Sequence, residues 1–191
     1  MALQARLQGL KSTLPQRGKA VCVACFAVFL LCGCYPELDW RELSVSEGRF
    51  SALLPCKARR EARTVNTSAG APTMTMYACS LKRGTMAVAY TDYRAVALVD
   101  AHLPGQLESA RDALLRNVGA GAYAEQEVAI AGLPGRQVYA QGRAGTLLKA
   151  RFVVAGSRLY QIAYVGARDD LAMADIDMFL DSFKLLKVNR P

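Results

Sequence analysis

Residues 146–165 read TLLKARFVVA, then Gly156-Ser157, then RLYQIAYV. Leu148, Ala150, Phe152 and Val154 recur at period two, with Lys149 and Arg151 on the opposite face. Such alternation predicts an antiparallel strand with one face on a core and the other in water. Gly-Ser between two such runs predicts a hairpin. A sheet joined by hairpins needs no crossover helices, which separates this chain from the parallel α/β folds.

The same alternation returns on both sides of this hairpin. FSALL (50–54) stops at Pro55, and Arg59–Val65 runs into the turn-rich NTSAGAP. TMTMYACSL (73–81) breaks at Lys82-Arg83-Gly84, and TMAVAYTDY (85–93) then puts Met86, Val88 and Tyr90 on one face. EQEVAI (125–130) and RQVYAQG (136–142) flank Ala131-Gly132-Leu133-Pro134-Gly135, where Gly and Pro mark a turn. Two segments change period. PGQLESARDALLRNVG (104–119) sets Leu107, Ala110, Leu114 and Val118 at helical spacing and stops at Gly119, suited to the C′ position. DDLAMADIDMFLDSFKLL (169–186) carries Ala172, Met173, Ile176, Phe179, Leu180 and Phe183 on one stripe, with Asp169 or Asp170 as its cap. The expected fold class is α+β in β4-α-β4-α order: an antiparallel sheet of about eight strands with two helices packed on it.

The N-terminus follows other rules. Residues 1–19 are polar and basic, and Ala20–Leu31 (AVCVACFAVFLL) is apolar and uncharged. A transmembrane helix needs roughly 20 apolar residues. A shorter run behind a basic segment is the pattern of an export signal. Leu31-Cys32-Gly33-Cys34 resembles the lipobox of bacterial lipoproteins. The resemblance implies cleavage after Gly33, a diacylglycerol on the Cys34 thiol, and a further acyl chain such as palmitate on its freed amine. An uncleaved signal anchor is the competing reading. In that family an aspartate after the cysteine tends to retain the protein at the inner membrane, so Tyr35 implies the outer membrane, facing the periplasm. Residues 1–33 are then the signal peptide, 34–49 a lipidated tether and 50–187 a single domain. Trp40, in the tether, is expected to dock on the domain rather than among lipid headgroups.

The chain has 24 Lys and Arg against 16 Asp and Glu, a formal charge of +8. Half of the excess (Arg6, Lys11, Arg17 and Lys19) lies in the signal and leaves with it. The basic balance therefore gives no support to nucleic-acid binding.

RFSALLP, YTDY, LESARDALLRNVG, ARFVVAGSRLYQIAYVG and FLDSFKLL resemble blocks in a group of uncharacterised proteobacterial envelope proteins, spread through most of residues 49–186. The closing hairpin and its helix ending in Ser-Phe-Lys are also similar to the PsbP-like α/β/α sandwich. Members of that fold serve mostly as extrinsic or adaptor subunits, which implies binding rather than catalysis.

Catalytic constellations are lacking. His102 is the single histidine, so no HExxH zinc motif exists, and no GxSxG elbow accompanies any serine. GAGAYA (119–124) matches a dinucleotide fingerprint by letters, but it follows a helix and precedes a strand, the reverse of that loop. Asp169, Asp170, Asp175, Asp177 and Asp181 scatter over a helix surface, where solvation explains them better than a cation. No catalytic residue, cofactor, metal or nucleic acid is expected.

The cysteines and the basic run say more. Cys22, Cys25 and Cys32 leave with the signal, and Cys34 is the lipid site. Cys56 and Cys79 remain as an even pair in an oxidising compartment, which predicts one structural disulfide. Two separate buried thiols are the alternative. Lys57, Arg59, Arg60 and Arg63 form the densest basic run, either a membrane-proximal patch against anionic lipid or a charged edge strand that blocks aggregation, the favoured reading. Tyr139, Tyr160 and Tyr164 are expected in the core. Together these residues predict a non-catalytic, lipid-anchored, periplasm-facing binding or adaptor module with an envelope protein as partner. The alternative is a small-molecule carrier holding an apolar or anionic ligand between sheet and helix. A cleft lined by Tyr and Phe would favour the carrier, and a filled core with an exposed apolar patch would favour the adaptor.

Overall fold

The computed structural model describes residues 38–67, 70–94 and 103–187, so the signal stretch, Cys34 and His102 lie outside them. Within these residues the chain forms β1 (Arg41–Val45), β2 (Phe50–Leu54), β3 (Arg59–Thr64), β4 (Thr73–Ser80) and β5 (Gly84–Asp92). Helix α1 (Leu103–Val118) follows, then β6 (Tyr123–Ile130), β7 (Leu133–Gln141), β8 (Thr146–Ala155) and β9 (Arg158–Ala167). Helix α2 (Met173–Asp181) and the short β10 (Lys184–Leu185) close the fold.

Seven strands form one antiparallel sheet in the order β3-β4-β5-β9-β8-β7-β6. The strands of the two meanders, β3–β5 and β6–β9, meet where β5 pairs with β9. A second sheet runs β1-β2-β10. Helix α1 packs on one face of the large sheet; α2 and the small sheet cover the other.

Alternation sends Met86, Val88 and Tyr90 of β5, with Tyr160, Ile162 and Tyr164 of β9, to the face under α2. Phe50 of β2 sits at the centre of that core. It meets Tyr77, Tyr90 and Tyr160 edge-on, with ring centroids 6.0–6.2 Å away, and stacks on Phe183 at 5.8 Å. The Tyr160 hydroxyl keeps a partner in this apolar setting by donating to the Gly48 carbonyl at 2.8 Å.

The structure corrects the sequence reading at five points. The expected eight strands in one sheet are ten strands in two, among the described residues, because β1 and β10 flank β2. Strand β1 lies inside the stretch read as a tether (34–49). Only Leu43 and Val45 point inward there, too few apolar residues to announce a strand without its partner. The order is thus five strands, a helix, four strands, a helix and a terminal strand. The second helix is shorter than residues 169–186 and starts after Ala172 with no side-chain cap, because Asp169 and Asp170 bond Arg83 instead. The turn expected over 131–135 shrinks to Ala131-Gly132, both at positive φ, and Pro134 stands second in β7, before the β8 ladder begins at Gly135, where no N–H is needed on that side.

The fifth correction concerns Lys149 and Arg151. They do not face open water: α2 lies over them, and Asp177 and Asp181 meet them as ion pairs. Two of the aspartates read as solvated are therefore engaged with the sheet. Trp40 is partly buried against the main core, and the Asp39 N–H bonds the Pro55 carbonyl at 3.0 Å.

Candidate functional site

Helix α1 covers only half of its sheet face, for a reason visible in its own residues. Leu115 and Val118 bury against Val138, Ala140, Leu148 and Ala150 of β7 and β8. On the same side Arg111 reaches Glu125 of β6 at 2.8 Å and stacks over the Tyr123 ring at 5.5 Å. Arg111 and Glu125 are mostly buried (16% and 19% exposed), so the pair is shielded from solvent screening. Burial works against the Arg111 charge, but Asp112 and Glu125 outweigh it and raise its pKa. The helix is thus held over β6–β9, and the β3–β5 wing is left without a helix.

Its C-terminus is fixed by local chemistry. Gly119 takes φ 67° at the C′ position, its N–H bonds the Arg116 carbonyl, and the Ala120 N–H returns to Leu115. That double bond pattern is a Schellman stop, for which glycine is suited because it has no Cβ to strain.

Between α1 and the open wing lies a groove of about 690 Å³, lined mainly by apolar atoms and partly open to solvent. Its floor follows from strand register. Met74 and Met76 of β4 lie opposite Thr91 and Ala89 of β5, which lie opposite Leu159 and Gln161 of β9. Ala87 and Ala163 continue the same face. Ala87, Ala89 and Ala163 are the smallest side chains of this floor, and the larger Met76 of β4 and Leu114 of α1 share the lining with them. The helix wall mixes the small side chains of Ser109, Ala110 and Ala113 with the polar Gln106 and Asn117. Tyr93 closes one end; its hydroxyl lies 3.5 Å from Gln106 Oε1, and burial pushes its pKa up.

Two arginines stand on the rim, Arg63 from β3 and Arg116 from the last turn of α1. Among the described residues no acid lines the groove. The sequence drew attention to Arg63 as part of a basic run, but strand alternation divides that run. Arg59 and Arg63 share the α1 face with Met74 and Ala78, while Arg60 points the other way to Glu47 at 3.0 Å. That hydrogen bond from Arg60 lowers the Glu47 pKa. Lys57 precedes β3 and is exposed. The four residues do not form one surface patch.

Cys56 and Cys79 are joined by a disulfide with a Cα–Cα distance of 5.8 Å, and Cys79 is fully buried. Tyr160 and Tyr164 are buried in the core, with Tyr139 packed against it. Among the described residues no three metal-ligating side chains converge, and no helix is long and apolar enough to cross a membrane. The groove is not the cleft lined by Tyr and Phe that would favour a carrier: alanine, methionine and threonine make up much of its lining, Tyr93 is the one aromatic among the described residues that line it, and Phe50, Tyr77, Tyr90 and Tyr160 fill the opposite face. Sequence reasoning missed the groove itself. The available signal was the run of small residues, Ala87, Ala89, Ala110, Ala113 and Ala163, in otherwise well-filled elements.

No protein-family model matches the chain, and no curated protein matches it. Among solved structures it is similar to the cyanobacterial PsbP protein (CyanoP) of Synechocystis sp. PCC 6803, at 11% identity and a TM-score of 0.45, covering 81% of this chain and 96% of that one. The likeness concerns the arrangement of elements and carries nothing about function.

Proposed function

We propose that this chain is a non-catalytic binding protein of the bacterial envelope, tethered through lipid on Cys34 to the outer membrane and facing the periplasm, and that it holds a small apolar ligand between sheet and helix. The observation that carries the ligand is the groove beside α1. Its volume falls within the roughly 300–1,000 Å³ of ordinary ligand sites, and its lining combines an apolar floor with a few polar groups. The carrier reading gains over the protein adaptor because, among the described residues, the large apolar side chains standing exposed are scattered: Tyr123 on β6, and Met173 and Met178 on α2. Single exposed residues of this kind make no docking patch.

An environment-sensitive dye, anilinonaphthalene sulfonate, tests the groove. Its fluorescence should rise on the mature chain (residues 34–191, Cys34→Ser). It should fall in Ala113→Leu, where leucine keeps the helix propensity but fills the wall. Equal dye binding by both chains, with equal thermal stability, would remove the groove as the ligand site.

A further inference from the structure

Resting on that reading, we propose that the groove takes one extended acyl chain ending in an anion, with the anionic end held by Arg63. Four rows of cross-strand neighbours make up the floor, from Met74–Thr91–Leu159 at one end to Thr85–Val165 at the other. Three steps of two residues along a strand give a length of about 20 Å. Ala87, Ala89 and Ala163 offer only methyl groups along this floor, a smooth apolar track that suits a single unbranched chain better than a rigid ring system. Met74 and Met76 beside it can repack around a flexible tail.

The charge of the ligand follows from the rim. Twenty-two of the described residues line the groove, two of them arginines and none an acid, in a domain where most other described arginines are ion-paired. Neither Arg63 nor Arg116 has an ion-pair partner among the described residues. Glu61, one row along from Arg63, does not line the groove. The two arginines differ in setting. Arg116 lies in the last turn of α1, where the negative end of the helix dipole already favours a cation. Arg63 lies at the end where Asn66 and Tyr93 also line the groove, with no such compensation, and its guanidinium can take a carboxylate or a phosphate in a two-point bond.

Titration of the mature chain (residues 34–191, Cys34→Ser) with dansylaminoundecanoic acid tests this. The competitors are laurate, lauroyl lysophosphatidylglycerol and dodecanol. We expect saturable fluorescence that one of the two anionic competitors displaces at least tenfold better than dodecanol. Whichever of the two competes better identifies a free fatty acid or a phosphate-headed lipid as the source. Arg63→Gln should abolish that preference, Arg116→Gln should reduce it less, and Ala113→Leu should weaken every chain. Equal displacement by all three competitors, with binding still lost in Ala113→Leu, would overturn the anionic end and leave the groove as a ligand site. Binding that is absent, or that ignores both Ala113→Leu and the less intrusive Ala87→Val, would overturn the acyl ligand and the carrier reading together.

Discussion

Asp92 and Arg158 stand opposite each other in the β5–β9 ladder, 66 residues apart in the chain, with Arg158 Nη2 2.9 Å from Asp92 Oδ2. The Arg158 side chain is only 7% exposed, so the pair stitches the two meanders together in a shielded position. Removing one partner of a buried pair leaves an uncompensated charge, which costs about 3–5 kcal/mol. Because Arg94 also holds Asp92, Arg158→Ala should fall near the lower end, measured as a shift in urea midpoint.

The same aspartate gives a pH signature. Burial opposes its ionisation, but hydrogen bonds from the Arg94 side chain and N–H, with the charges of Arg158 and Arg94, outweigh it and hold the carboxyl below its usual range. A depressed folded pKa stabilises the fold fully above the unfolded value of about 3.9, and this contribution is lost as pH falls through the folded value. The Tm gap between wild type and Asp92→Asn should therefore hold steady from neutral pH to about 5 and close below about 4. An undiminished gap in strong acid would refute the assignment.

The Cys56–Cys79 bridge closes a loop of about 24 residues, worth about 3 kcal/mol by chain entropy. A Cys56→Ala/Cys79→Ala chain should lose stability of that order in denaturant melts. Thiol counting on the denatured, unreduced mature chain should find neither cysteine reactive.

Gly142 seats the end of α1, and with it the wall of the groove. A Cβ there would lie 2.1 Å from the Val118 carbonyl oxygen and 2.9 Å from its carbon, both backbone atoms that cannot swing aside. Gly142→Ala should cost about 1–3 kcal/mol, the usual range for overpacking, and should weaken ligand binding as α1 shifts. Gly105→Ala, within α1 and with open space around it, is the control: it should leave stability equal or slightly higher and should not weaken ligand binding.

For the anchor, Cys34→Ala should abolish labelling by a palmitate analogue and leave unprocessed precursor. Wild type should fractionate with outer-membrane markers. Labelling equal to wild type would refute lipidation at Cys34, and co-migration with inner-membrane markers would refute the sorting inferred from Tyr35.

What the sequence determined by itself is what contiguous residues decide. Period two from Leu148 to Val154 and from Met86 to Tyr90 made strands, and helical spacing from Leu107 to Val118 with Gly119 after it made α1. The even pair Cys56 and Cys79 was legible from counting. Tertiary structure alone decided what covers each face. Lys149 and Arg151 look solvent-facing in a local pattern, and only the arrival of α2, with Asp177 and Asp181, closes that face. β1 gains strand structure from pairing with β2, since a short segment with two apolar residues has too little burial of its own to hold extended geometry. The groove depends on where α1 comes to rest across the sheet. That position is set by Leu115 and Val118 on β7 and β8 and by Arg111 on Glu125, contacts whose energy appears only once distant strands are in register, so no local pattern could announce it.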